Sequence, residues 1–506
     1  MNLRILIICG ALFLIIKSVH PIPKNVLFLV SDDMRPNIGV YKRDKEKSLN
    51  MYTPNLDKLA MQSLLLKKAY VQQSVCSPSR TSLLTGRRPD TTHVYDLVQY
   101  WRDVGGNFTT IPQYFKEHGY YTAGMGKVFH PGSSSGYNDP ISWTEPYFHG
   151  DDSHWNDASQ YSWFAASEEE TREFPLVDDQ IAQKAIETLH MLAPEARNGG
   201  HPFFLAVGFN KPHLPFLFPE KFLEYYPLND IMLPENPYAP VDMPEVAWSN
   251  FDEIRNYKDI ANIYGYGGIN GKKYPDHVTK KLRRAYYSAI SYIDSLVGKV
   301  VDTLENLGLA SNTIISFWGD HGWQLGEHGE WCKQTNFELA THAPMMINIP
   351  GMTDRGVEVE TPTEFVDLFP TIVEAAGLPK ISLCPENSFN VSTCTEGVSM
   401  IPLIEDPNRE WKSAAFSQYP RMLVSGNVVM GYTLRTEEYR YTEWVVYDTV
   451  KYEPIWDEAR NRGFELYDHI VDPFENVNRV NDPKYFDVQE KLSKMLHDGW
   501  RAAMPE

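Results

Sequence analysis

The sequence predicts an α/β protein: one large mixed, mostly parallel sheet sandwiched by helices, followed by a smaller C-terminal α+β subdomain carrying an antiparallel sheet. Three observations predict it. Short, unbroken apolar runs such as Val26–Val30 and Phe203–Val207 alternate with long amphipathic segments. Strands covered on both faces read this way, and such alternation builds a parallel sheet. Beyond about residue 405 the pattern turns to aromatic-rich alternation, the mark of antiparallel strands. A chain of 506 residues is also long enough to bury a large core.

In chain order, residues 1–20 read as a signal peptide. Arg4 gives a positive start, Ile5–Ile16 is apolar but short for a membrane span, and Pro21 and Pro23 end any helix. No later stretch is long enough to span, so no stable membrane insertion is expected. Residues 21–405 form the expected main domain. Its predicted strands are Val26–Val30, Tyr121–Met125, Phe203–Val207, Thr313–Trp318 and Met345–Ile349, the last ended by Pro350. Its predicted helices are Pro54–Leu66, Asp178–Leu192, Val278–Leu307 and Phe365–Ala376. Asp406–Glu410 is polar, contains a proline and reads as a linker. Residues 411–506 then supply strands at Met430–Leu434, Tyr439–Val446 and Phe464–Asp468, with a closing helix near Val488–Ala503.

The net charge of −19 argues against nucleic acid or any other polyanion held by bulk attraction. An anionic substrate would need a locally basic site, and an acidic compartment would ease that conflict by charging histidines. Removal of the leader takes Cys9 with it. Cys384 and Cys394, close together with Pro385 and a polar stretch between them, are the natural disulfide pair in an oxidising compartment. Cys332 reads as a buried thiol, and Cys76 needs another explanation. Asn107-Phe108-Thr109 and Asn390-Val391-Ser392 are glycosylation sequons, which fits secretion.

The residues just beyond each strand carry the chemistry, because ligands bind past the carboxyl ends of strands in open α/β sheets. Val26–Val30 runs into Asp32 and Asp33. Thr313–Trp318 runs into Asp320 and His321. The strand from Tyr121 delivers Lys127 and His130, and the strand from Phe203 delivers Lys211 and His213. Asp32, Asp33 and Asp320 form a hard oxygen cluster suited to Ca²⁺ or Mg²⁺ rather than Zn²⁺. Ser77 reads as an N-cap and Pro78 as the first residue of a helix that Thr85-Gly86 ends. Cys76 then lies just before a helix N-terminus, where free N–H groups favour an anion, and Arg80 reaches back from one turn in.

Cys76-Ser77-Pro78-Ser79-Arg80, with Leu84-Thr85-Gly86-Arg87 behind it, is similar to the C-x-P-S-R signature of the type I sulfatases of the alkaline phosphatase superfamily. Further marks come in order: Pro54-Asn55-Leu56-Asp57, Gly126-Lys127, Asp320-His321-Gly322, Val366–Thr371 and Glu465–Asp468. The resemblance implies that Cys76 is oxidised to formylglycine by the formylglycine-generating enzyme. It implies one Ca²⁺ held by Asp32, Asp33, Asp320, His321 and the side chain at position 76. Arg80, Lys127 and Lys333 would neutralise sulfate charge, His130 would assist the hydrated aldehyde, and His213 would protonate the leaving oxygen. Lys127 and His130 stand three apart, which resembles the branch that removes the 2-O-sulfate of non-reducing-end L-iduronate from heparan and dermatan sulfate, and the expected location, reached by the secretory pathway, is lysosomal or secreted. The expected partner is therefore a sulfated glycosaminoglycan oligosaccharide, bound by Lys127, His213 and Lys333, with Trp323 and Trp101 lining the sugar pocket. The alternatives are another sulfatase specificity, a phosphoesterase, or a non-catalytic glycan-binding protein.

Overall fold

A computed structural model describes residues 23–42, 50–249, 253–261, 263, 273–423, 425–457 and 461–505. The expected leader, 1–20, lies outside these. The main sheet contains β1 (Asn25–Ser31), β2 (Leu64–Leu66), β3 (Tyr121–Gly126), β4 (Phe203–Phe209), β5 (Thr313–Gly319), β6 (Met345–Asn348) and β7 (Val357–Val359). Their order is β7-β2-β6-β5-β1-β4-β3. Only β6 opposes its neighbours; every other adjacent pair is parallel. The expected mixed, mostly parallel sheet is therefore the one observed.

β1 lies inside the sheet, with Val26 beside Phe204 on one side and Ile314 on the other. Strand side chains alternate between faces, and β1 serves a separate core on each. Leu27 and Leu29 pack with α1 (Pro54–Ala60) and with the helices α3 (Val177–Arg197) and α4 (Asp276–Asn306). Val26, Phe28 and Val30 pack with α2 (Cys76–Thr85) and α5 (Leu368–Ala375). This double burial is why the strand reads as an unbroken apolar run.

One expected helix is shorter than its pattern. The apolar spacing of Pro54–Leu66 predicts a helix throughout, but α1 ends at Ala60 and Leu64–Leu66 is β2, antiparallel to β6 and parallel to β7. The three leucines are buried, so their backbone needs ladder partners. Three identical apolar residues carry no periodicity that separates helix from strand. The helix expected from Phe365 opens with a 3-10 turn, Phe365–Asp367, before α5 begins.

The smaller sheet contains β8 (Ala415–Met422), β9 (Val428–Arg435), β10 (Tyr439–Asp448), β11 (Glu453–Ile455) and β12 (Gly463–Asp468), all paired antiparallel. α6 (Phe486–Ala502) covers it through Leu492 and Leu496, which meet Leu434, Tyr441 and Leu466. β8 has no counterpart in the sequence reading. It carries Pro420, and it lies at the sheet edge, where proline is tolerated. Buried ion pairs run from the main domain to the segment that leads into the smaller sheet. Arg88 grips Glu364 with two bonds of 2.7 Å, and Lys412 reaches both Glu364 (2.7 Å) and Asp367 (2.6 Å).

Glu465, on β12, accepts hydrogen bonds from Trp444 Nε1 (2.7 Å) and Tyr467 Oη (2.9 Å). Burial pushes its carboxyl up to about 7. A carboxyl raised by folding costs nothing while protonated; stability then falls as pH climbs from the ordinary carboxylate range to about 7. Glu465→Gln removes that loss. We expect the variant to match wild type at about pH 4 and to exceed it at about pH 8 by on the order of 2–3 kcal/mol in denaturant unfolding. An equal difference at both pH values would show the carboxyl is not the cause.

Candidate functional site

The carboxyl ends of β1, β5, β3 and β4 meet the start of α2. Asp32 and Asp33 follow β1, and consecutive strand residues ordinarily point to opposite faces. Asp33 has a left-handed φ of +58°, which turns the chain so that both carboxylates converge. The turn is braced: Asp33 N–H donates to Asp320 Oδ1 (2.9 Å), and Tyr286 Oη donates to the Asp33 carbonyl (2.7 Å).

α2 starts at Cys76, with Val75 extended before it, and closes on Gly86 at φ +65°. Ser77 is not the cap the sequence suggested, and Cys76 lies in the first turn rather than ahead of it. Pro78 sits within that same turn, where a missing N–H costs nothing. Cys76 Sγ lies 3.5 Å from Asp32 Oδ1, 3.9 Å from Asp33 Oδ1, 3.4 Å from His321 Nε2, 3.5 Å from Lys333 Nζ and 3.8 Å from Lys127 Nζ. All are buried.

Arg80 organises the floor of the site. Its Nη2 pairs with Asp32 Oδ1 (2.9 Å) and its Nε with Asp320 Oδ2 (2.9 Å), while Nη1 donates to the carbonyls of Lys127 and Val128. Lys127 Nζ pairs with Asp32 Oδ2, and Lys333 Nζ with Asp33 Oδ1 at 2.6 Å. Burial would raise Asp32, but Lys127 and its other cationic neighbours outweigh it and hold the carboxyl well below the usual range. Asp33 goes the other way: burial, with Asp32 and Asp320 alongside, lifts it well above that range despite Lys333. Burial and Asp32 also push the Cys76 thiol up.

These residues fit a hard cation. One ligand atom from each of Asp32, Asp33, Cys76, Asp320 and His321 lies within 4.8 Å of all the others. Asp33 Oδ2 is buried without a hydrogen-bond partner. His321 fits as well: its Nδ1 faces the Gly322 carbonyl at 2.8 Å and so carries the hydrogen, leaving the Nε2 lone pair aimed into the cluster. Burial lowers His321 to about 4, which keeps the ring neutral as ligation requires.

Two histidines stand around this centre. His213 Nε2 is 3.4 Å from Glu253 Oε1 and 3.8 Å from Asp33 Oδ2, and its Nδ1 faces the Leu214 carbonyl. Lys211 fixes the loop by donating to the carbonyls of His213 and Pro215, each at 2.8 Å. His130 is partly buried, with Nδ1 2.9 Å from Ser134 Oγ. Burial and Lys127 lower His130 to about 4 and His213 to about 3.

Trp101 and Trp323 are not where the sequence suggested. Each is 0% exposed, so neither ring offers a face to a sugar. Trp101 stacks on Phe129 (5.7 Å) within one apolar core, and Trp323 lies parallel to Tyr286 (6.3 Å) within the other. Trp323 instead backs Lys333, whose Nζ is 5.1 Å from the ring, close enough for a cation–π contact. Glu253 is a site residue that sequence reasoning does not reach. It belongs to a 3-10 turn, Glu253–Asn256, and no apolar run of strand type precedes it in the sequence, so no local signal marks it. Cys384 and Cys394 form the expected disulfide, and Asn107 and Asn390 are exposed.

Residues 24–378 match the family model described as Sulfatase, and residues 326–501 match that of N-sulphoglucosamine sulphohydrolase, C-terminal. The chain belongs to the sulfatase family. It is 38% identical over 91% of its length to iduronate 2-sulfatase of Mus musculus, of which 91% is covered. It is 37% identical over 92% of its length to the Homo sapiens protein of that name, of which 93% is covered. Among solved structures, a phosphonate monoester hydrolase from Silicibacter pomeroyi shares the fold, with a TM-score of 0.70 at 20% identity over 95% of this chain and 96% of that one. This sulfatase is accordingly a sulfuric ester hydrolase. Among the described residues, no helix is long and apolar enough to cross a membrane.

The unpartnered oxygen and the crowded carboxylates yield a test. Chelation is expected to lower the melting temperature of this sulfatase by a few degrees, and excess Ca²⁺ to restore it, since a ligand at 100 times its Kd adds about 2.7 kcal/mol. Asp33→Asn is expected to melt at one temperature with and without the ion. A wild-type melting curve indifferent to chelator and Ca²⁺ would count against a metal here.

Proposed function

We propose that this sulfatase is exo-acting and hydrolyses the 2-O-sulfate of non-reducing-end L-iduronate 2-sulfate in heparan and dermatan sulfate. Cys76 would act as formylglycine, installed by the formylglycine-generating enzyme, with one Ca²⁺ alongside. The observation that carries the chemistry is Cys76 Sγ, at the start of α2, within 3.9 Å of two carboxylates, two ammonium groups and an imidazole. The iduronate specificity is supported by the mouse and human relatives and by the Lys127–His130 spacing. Passage through the secretory route to a lysosome, with glycans on Asn107 and Asn390, belongs to the same reading.

As its hydrate, formylglycine would supply two hydroxyls on one carbon, one to attack the sulfate sulfur and one to expel sulfate afterwards. Ca²⁺ held by Asp32, Asp33, Asp320 and His321 would offset their charge and draw electron density from a sulfate oxygen. The chain's own residues do the rest. Lys127 and Lys333, within 3.8 Å of the side chain at position 76, receive the sulfate oxygens. Arg80 keeps Asp32 and Asp320 in place beneath it. His130 stands beside Lys127 to take a proton from the hydrate. With Nδ1 directed at the Leu214 carbonyl, His213 exchanges its proton at Nε2, the atom that faces the site. The two lysines and burial keep that ring neutral until the sulfate's negative charge offsets them.

Peptide mass spectrometry across Cys76 is expected to find the aldehyde in place of the thiol, and a purely thiol form would remove this mechanism. Given an iduronate 2-sulfate disaccharide and a glucosamine 6-sulfate disaccharide, the protein is expected to desulfate the first. Turnover of only the second would replace the specificity and leave the reaction class standing.

A further inference from the structure

Four carboxylates stand in a site that has to accept an anion. Three belong to the cation cluster. The fourth, Glu253, comes from no strand end, and its two oxygens serve different partners: Oε1 is 3.4 Å from His213 Nε2 and Oε2 is 3.6 Å from Lys333 Nζ. The fold fixes its place. Ile254 beside it is 0% exposed in the core, Tyr257 packs partly buried against the same core, and the turn rests against Trp331–Cys332, directly before Lys333.

The other carboxylate shared by His213 and Lys333 is Asp33, at 3.8 Å and 2.6 Å. Asp33 also belongs to the cation cluster. Glu253 is thus the carboxylate that can hold the two together whatever Asp33 is doing. An acidic group beside a sulfate site opposes binding of the sulfate, so a gain elsewhere has to offset it. Departure of the sugar alcohol is the step at which these two partners act side by side.

We propose that Glu253 is a positioning residue for that departure: it ties His213 Nε2 to Lys333 Nζ, so that the proton donor stands beside the ammonium that holds the sulfate. This rests on the reading of His213 as the group that protonates the leaving oxygen. In the step an oxygen of the hydrate at position 76 bonds to the sulfate sulfur, its proton passing to His130, as the ester S–O bond breaks; that bond's electron pair passes to the sugar oxygen, which takes the proton from His213 Nε2 and leaves the ring neutral. Glu253 gains and loses nothing. Misplacing a donor by about 1 Å costs roughly 100-fold, and the loss falls on leaving groups that need the proton.

The leaving group therefore reports on the proposal. The full-length protein, wild type and Glu253→Gln, is assayed on an iduronate 2-sulfate disaccharide and on its 3-deoxy-3-fluoro analogue, whose leaving alcohol is more acidic. For Glu253→Gln we expect kcat on the natural disaccharide to fall about 100-fold with KM within about threefold, and kcat on the fluoro analogue to fall less than about 10-fold. Glu253→Asp, which keeps the charge, is expected to recover most of the loss, and Glu253→Ala, expected to show the same leaving-group dependence as Glu253→Gln, carries the test if Glu253→Gln fails to fold. Equal losses on both substrates, or none, would overturn the proposal while the specificity reading stands. No turnover of either substrate by wild type would sink the iduronate reading, and this proposal with it.

Discussion

Arg80 is where the ends of three strands and one helix meet. Its guanidinium is 1% exposed and spends every nitrogen: on Asp32 after β1, on Asp320 after β5, and on the carbonyls of Lys127 and Val128 after β3. It stands one turn into α2 from Cys76, so the same side chain that ties the strand ends also holds the first turn of the helix against them. A planar fork with donors in fixed directions can do this; an ammonium on a flexible stem cannot. Buried ion pairs give little net stability, because desolvation offsets their attraction, but leaving one partner alone costs about 3–5 kcal/mol. The arrangement therefore fixes geometry more than it adds stability.

Charge balance favours a cation at this set. Asp32, Asp33, Asp320 and Glu253 outnumber Arg80, Lys127 and Lys333, so the side chains alone do not make the locally basic site that an anionic substrate on an acidic protein requires. Part of the strain falls on Asp33, whose carboxyl is driven up by burial and by its acidic neighbours. A divalent ion held there would reverse the balance.

The strand-end residues are legible in the sequence because each follows an unbroken apolar run, and such runs end where a parallel sheet presents its carboxyl edge. The start of α2 is not, because Ser77-Pro78 imitates a cap and a first helical residue, whereas the extended backbone of Val75 decides it. Trp323 sits beside Asp320 and His321 in the sequence and Trp101 beside a base, Arg102, but burial is settled by what packs on them from elsewhere. Phe129 and Tyr286 lie 28 and 37 residues away. Glu253 reaches the site from a turn with no motif, through tertiary placement alone.

The smaller sheet is part of the site's support. On β8, Ser417 Oγ donates to the Val71 carbonyl (2.5 Å) and Gln418 N–H to the Gln72 carbonyl (2.8 Å), on the approach to Cys76. Arg421 Nη2 donates to the carbonyls of Gln334 (2.7 Å), next to Lys333, and Ala247 (3.2 Å), six residues before Glu253. Tyr419 lies close enough that Lys333 and Cys76 contribute to its titration, with burial pushing it up to about 12. One edge strand thus clamps the segments that carry Cys76, Lys333 and Glu253. An edge strand can do so because one side of its ladder remains open to backbone from another sheet. The C-terminal sheet holds the parts of the site that the parallel sheet does not reach.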